Sequence, residues 1–258
     1  MSLISALKSS KQLDNTIIFM VSDHGEMLGQ QGARGKLVPW EESIRVPTLI
    51  CHPDLKKQQK CESIISNIDL VPTILEFSGL DKDTINTNYP ELKGTSFANM
   101  VENVDHKNNR DNEGHLIHGV QIIPTVFNVA EKFRHIGLAD SLIDKFKAFA
   151  TKGNFLPDFS PPLNYKGVVD KRYKFIRYFS PRENNIPNTF AELSNNNASF
   201  QLYDLLNDPY EMHDISKTEN NKGLLMSMND KLNKLTDKEI GLENHILHLP
   251  GPDWFWTT

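Results

Sequence analysis

Scarcities say more about this chain of 258 residues than abundances do. Two cysteines, Cys51 and Cys61, are too few for a disulfide scaffold, so an apolar core has to hold the fold and the redox compartment stays open. No apolar run approaches the roughly 20 residues that a bilayer-spanning helix needs, and the first residues lack the charged, apolar and cleavage regions of an export leader. A membrane is therefore not an expected partner, and localisation is left unknown. Lysine and arginine total 28 against 33 acidic residues, a net charge of −5 with a pI near 6.0. Without a broad basic field, nucleic acid is not an expected partner either. Internal repeats are absent, and the run Asn195 to Asn197 reads as a loose loop. What remains is ordinary: 38% hydrophobic and 24% charged residues, enough for one or two domains with a sizeable core.

The most informative stretch is Val21-Ser22-Asp23-His24-Gly25-Glu26, with Lys36 twelve positions beyond the histidine. Ile17 to Val21 is an unbroken apolar run, which suits a strand covered on both faces in a parallel sheet, and active sites sit where such strands stop. Asp23 and His24 offer the oxygen and nitrogen donors that divalent cations accept, and Gly25 lets the chain turn away without crowding a ligand. Lys36 is then placed to neutralise an oxyanion. Taken alone, the Asp-His pair also reads as a capped turn, and Lys36 as a surface lysine after a glycine-rich loop.

Asn15 to Pro53, reading NTIIFMVSDHGEMLGQQGARGKLVPWEESIRVPTLICHP, resembles the sulfatase family in strand, Asp-His pair, lysine, acidic helix start and following strand. Ile68 to Leu75 is similar to the helix that follows in that family, and Gly94-Thr95-Ser96-Phe97 to its next turn. Lys171 to Arg177 and Leu202 to Glu211 look like the strands and turn of its carboxy-terminal subdomain. The nucleophile of the family, a cysteine oxidised to formylglycine within Cys-x-Pro-x-Arg, is not found. Cys51-His52-Pro53-Asp54-Leu55 has the spacing but ends in leucine, and Cys51 reads as a small buried hydrophobe. The expectation is a chain that starts too late to carry the nucleophile and the paired aspartates.

The resemblance implies an α/β fold. It is a partial alkaline-phosphatase-like sandwich of a mainly parallel sheet with helices, plus a small carboxy-terminal α+β subdomain with an antiparallel sheet. It implies sulfate-ester hydrolysis, with Asp23 and His24 as metal ligands and His24 and Lys36 as catalytic residues. Calcium is the expected ion, with manganese or zinc as alternatives because His24 replaces the asparagine of many relatives. The expected substrate is a sulfate-ester small molecule or glycan, acted on once a missing amino-terminal half completes the site. Two other readings stand beside this one: a non-catalytic interaction module, and a metal-dependent phosphodiester or phosphonate monoester hydrolase. An incomplete sheet also predicts association through its exposed strand.

Pattern and punctuation supply the organisation, with segments at 1–127, 128–164 and 165–258. The expected elements are a helix at the start, strands at Thr16–Ser22 and Val46–Cys51, and a helix from Asp69 to Ser78 with Pro72 in its first turn and Gly79 past its end. Asp105–Gly114 reads as a loop and His115–Ile123 as a strand, whose His115 and His118 point to opposite faces. A helix over Val129–Ala150 and a proline-rich connector over Asn154–Asn164 follow. A hairpin over Gly167–Phe179 turning near Asp170-Lys171, a strand at Phe200–Leu205, a turn at Asn207–Tyr210 and a helix at Leu224–Leu235 complete the chain. The aromatic tail ending in Trp254-Phe255-Trp256 reads as packed against the body, with the lining of a substrate mouth as the alternative.

Overall fold

The computed structural model describes residues 3–36, 38–55, 58–120, 164–179, 186–194 and 199–241. The expected helix over Val129–Ala150, nearly all of the proline-rich connector, the Asn195 to Asn197 loop and the aromatic tail lie outside them. The chain divides into two units: Met1–Leu116 with Val169–Tyr173 and Asp204–Met212, and Ile117–Val168 with Lys174–Tyr203 and His213–Thr258.

In the first unit, α1 (Leu3–Ser9) leads into β1 (Ile18–Met20), then come α2 (Glu41–Ile44) and β2 (Leu49–Cys51). The strands pair antiparallel, Ile18 opposite Cys51, Phe19 opposite Ile50 and Met20 opposite Leu49. The parallel neighbour expected for β1 is thus not β2. A parallel crossover needs a dozen or more residues, usually a helix, packed across the sheet, whereas the connection here holds only a folded loop and the four residues of α2. Alternation along so short a ladder divides it sharply into two faces. Phe19 lies 6.2 Å from the ring of Phe77, which also stacks on His52 at 4.9 Å, so that face packs on α3 (Leu70–Phe77). On the other face Met20 and Leu49 are 58% and 59% exposed, and Cys51 is exposed with them. The expectation that Cys51 is buried is corrected: its register position puts it on the uncovered face.

The helix expected from Asp69 forms as a one-turn 3-10 segment, Asn67–Asp69, continuing into α3. Ser66 caps the 3-10 segment in a reciprocal box in which Asp69 Oδ2 accepts from the Ser66 N–H at 2.8 Å. Asp69 is wholly buried. Its carboxylate takes a two-pronged pair from Arg110, Nε at 2.6 Å and Nη2 at 2.7 Å, and the Thr95 N–H at 2.7 Å. Arg110 opens α6 (Arg110–Glu113), a helical turn inside the stretch expected to be loop. Between them run α4 (Lys82–Asn88) and α5 (Ala98–Glu102), with Phe97, Ala98 and Met100 buried. Gly79, at φ +94°, ends α3 as expected.

The second unit is built on a sheet in the order β3 (His115–Val120), β4 (Asn164–Val169), β5 (Tyr173–Phe179), β6 (Ser199–Asp204). The β4–β5 hairpin turns at Asp170, whose carboxylate accepts from the N–H groups of Arg172 and Tyr173. After α7 (Phe190–Leu193), α8 (Lys222–Glu239) buries Leu225, Met228, Leu232 and Leu235, an i, i+3, i+7, i+10 stripe worth about 2 kcal/mol per side chain. Phe175, Ile176 and Leu202 of the sheet are fully buried. Arg177 donates to Asn229 at 2.8 Å and Asn233 at 2.9 Å, both of which donate in turn to the Pro187 carbonyl. Burial holds its guanidinium down at about 10.

Candidate metal and anion site

The loop after β1 carries Asp23 and His24 and is pinned on two sides. On one side the Gly25 N–H donates to the Ser43 carbonyl of α2 at 2.8 Å. A Cβ on Gly25 would stand 2.0 Å from the Glu42 carbonyl oxygen, so only glycine allows the approach. The backbone of Glu42 and Arg45 thus lies directly against the loop at Gly25. On the other side Asn67 Nδ2 donates to the carbonyls of Ser22 at 3.2 Å and Asp23 at 3.3 Å.

Lys36 returns to this loop because the chain between closes on itself. The Met27 N–H donates to the Gly35 carbonyl at 2.9 Å and Gly29 to Ala33 at 2.9 Å, with Met27 fully buried as the anchor. The reversal uses left-handed backbone, including Gly35 at φ +83°. Gln31 of the loop donates to the Tyr210 carbonyl at 3.0 Å, and buried Glu211 accepts the Glu41 N–H at 2.7 Å across 170 residues of sequence.

The three side chains singled out in the sequence come together. Lys36 Nζ is 2.5 Å from His24 Nε2, and His24 Nε2 is 3.2 Å from Asp23 Oδ2. His24 Nδ1 lies 2.7 Å from the Gly25 carbonyl, which can only accept. That bond places the ring proton on Nδ1 and leaves the Nε2 lone pair facing Asp23 and Lys36, the tautomer a metal-ligating imidazole adopts. Ser22 Oγ donates to the His24 carbonyl at 2.9 Å, and the His24 N–H donates to Asp23 Oδ1 at 3.0 Å. Burial would push the Asp23 carboxyl up. The N–H groups of Asp23 and His24, with the charge of Lys36, outweigh it and hold the acid below the ordinary carboxylate range.

A carboxylate oxygen beside an unprotonated imidazole nitrogen fits a divalent cation in donor chemistry. The set is small, because no group of three or more His, Cys, Asp or Glu able to hold a metal occurs among the described residues. The site is open to water, with the Asp23 side chain 82% exposed and that of His24 35%. Lys36 bonds the nitrogen that would ligate a metal. His115 is half-buried and His118 exposed on β3. Asn67, Arg110 and Glu211 were not singled out as site residues in the sequence, and Asp69 was read only as the start of a helix. Asn67 lies two residues before the helix start recognised at Asp69, and Glu211 inside the Asp-Pro-Tyr-Glu block, whereas Arg110 sits in a polar stretch with no local signal.

Residues 1–80 match the family model described as Sulfatase. The chain is 39% identical over 77 residues to a sulfatase of Formosa agariphila, an alignment covering 30% of this chain and 15% of that one. In structure it is similar to a protein solved with its substrate D-glucosamine-2-N,6-O-disulfate, with a TM-score of 0.63, 20% identity and coverage of 93% of this chain and 38% of that one. It is likewise similar to the phosphonate monoester hydrolase of Agrobacterium radiobacter, with a TM-score of 0.59, 20% identity and coverage of 92% and 38%. The chain spans less than half the length of these solved structures. The fold they share is the alkaline-phosphatase-like one, and sulfatases generally use a divalent metal ion.

Proposed function

We propose that this chain supplies the metal-holding and anion-neutralising side of a sulfuric-ester hydrolase, and that the complete protein cleaves sulfate esters of small molecules or glycans. One observation carries the reading: Asp23, His24 and Lys36 meet within 3.2 Å on one pinned loop, inside the segment that matches the sulfatase model. Asp23 Oδ2 and His24 Nε2 are the donors for the ion, with calcium the expected occupant. A divalent cation bound there supplies Lewis acidity toward a sulfate oxygen. Asp23 stays ionised through the neutral range, and the Gly25 carbonyl keeps the proton of His24 on Nδ1. Lys36 places a fixed positive charge beside the point where negative charge grows on the ester. Nucleophilic attack requires a group that we assign to another part of the complete protein.

A second reading has support of its own. Histidine at position 24 and the likeness to a phosphonate monoester hydrolase favour phosphonate or phosphodiester substrates, with manganese or zinc in place of calcium. Calorimetry with Ca2+ and Mn2+ on the wild-type chain and on Asp23→Ala tests the metal site. Heat that disappears in the variant supports it, and no heat with either ion in the wild type leaves only a non-catalytic module. Parallel assays of the complete protein with an aryl sulfate and an aryl phosphonate decide the substrate, and faster sulfate turnover abolished by Lys36→Ala is expected.

A further inference from the structure

The loop that bears Asp23 and His24 is short, polar and open to water, so nothing in its own composition holds the two side chains in register. Asp23 has one backbone degree of freedom on each side, and the peptide planes that flank it carry the carbonyls of Ser22 and Asp23. Asn67 Nδ2 donates to both, at 3.2 and 3.3 Å. Holding these two planes fixes φ and ψ of Asp23, and with them the direction in which the Asp23 side chain leaves the backbone and the plane from which His24 starts. Asn67 is exposed, and water would satisfy its amide without loss, so burial does not oblige the bond. Freezing an asparagine side chain costs entropy that the fold has no need to spend here.

The support behind Asn67 is rigid. The next residue but one, Asp69, is wholly buried in the two-pronged pair with Arg110 and accepts the Ser66 and Thr95 N–H groups. Upstream, Asp111 accepts from Ser63 Oγ and the Ile64 N–H at 3.0 Å each, and Asn108 donates to the Ile64 carbonyl at 3.0 Å. Residues 63–69 thus form a rail anchored by buried groups, and Asn67 is the arm that reaches from it to the site loop. We propose that Asn67 is a positioning residue for the Asp23–His24 pair, which it aligns by clamping the two peptide planes around Asp23. This rests on the reading of that pair as metal ligands.

The test uses the whole chain with Asn67→Ala and Asn67→Asp. The aspartate keeps the shape and loses the donors. The reporters are amide hydrogen exchange at Gly25, whose N–H is bonded to Ser43, the melting temperature, and line broadening of the His24 ring by Mn2+ in NMR spectra. In both variants exchange at Gly25 is expected to speed by about ten-fold, the loss of one to two hydrogen bonds. Amides of α8 and the melting temperature are expected to stay as in the wild type, and Mn2+ broadening at His24 to weaken. Unchanged exchange at Gly25, or an Asn67→Asp chain that behaves as wild type, overturns the inference, as does a loss spread evenly over α8. Absence of Mn2+ broadening in the wild type sinks the metal reading instead, while the exchange data still report whether Asn67 orders the loop.

Discussion

At the scale of single residues, the site depends on approaches that tolerate no extra atom and on charges that tolerate no lost partner. Gly25→Ala is expected to push the loop off α2, because its Cβ meets the Glu42 carbonyl at 2.0 Å. Overpacking of this kind costs about 1–3 kcal/mol, and the lost Lys36–His24 contact should appear as a vanished cross-peak between the two side chains. Asp69→Asn keeps the shape and removes the charge that faces Arg110 in a buried pair, so urea unfolding should show a loss of about 3 kcal/mol or more. Asp111 adds a pH dependence. Burial raises its carboxyl, but the Ile64 N–H, Lys171 and Ser63 outweigh this and hold it below the ordinary range. The unfolded chain therefore binds the proton more readily. Its contribution is present above the unfolded value of about 3.9 and is lost as pH falls through the lower folded value. The stability difference between wild type and Asp111→Asn should shrink below about pH 4 in urea titrations.

At the scale of elements, α2 is four residues long and has no side-chain cap of its own, yet it holds the loop through Ser43. Its first free N–H is met by Glu211 from far along the chain, and Glu211 adopts φ +54°, a left-handed backbone costly for a residue with a Cβ. Two substitutions separate cap from strain. Glu211→Ala loses the cap and keeps the strain, and is expected to cost about 1 kcal/mol. Glu211→Gly loses the cap and relieves the strain, so it should unfold at nearly the wild-type urea midpoint while Gly25 exchanges faster. The same elements show what the sequence discloses. The β4–β5 hairpin, its Asp170 turn, α3 with Pro72 and Gly79, and α8 were legible because each is written in local periodicity and turn chemistry. The antiparallel register of β1 and β2, the place of Arg110 and the reach of Glu211 were not, since they are set by contacts between residues far apart in sequence. Asp23, His24 and Lys36 were singled out as a group through the resemblance, since their spacing alone left a capped turn and a surface lysine equally open. That Lys36 would rest on His24 Nε2 follows only from the closure of the loop over Met27.

At the scale of the whole molecule, an apolar surface remains to be covered. Met20 and Leu49 face each other across β1 and β2 with more than half their surface open, and Leu3 and Ile4 of α1 and Val71 and Ile74 of α3 are exposed in the same unit. Two strands of three residues each make a marginal sheet by themselves, and both end in free edges among the described residues. Burying Met20 and Leu49 alone returns about 3 kcal/mol per copy, enough to favour association once concentration offsets the lost freedom of two bodies. The chain by itself should therefore sediment as a concentration-dependent mixture. Met20→Lys with Leu49→Lys places two charges on the open face without touching Phe19, Ile50 or the Asp23 loop. That variant is expected to sediment as a monomer with an unchanged Gly25 exchange rate. Association that persists in it would move the sticky surface away from β1 and β2, to α1 or α3.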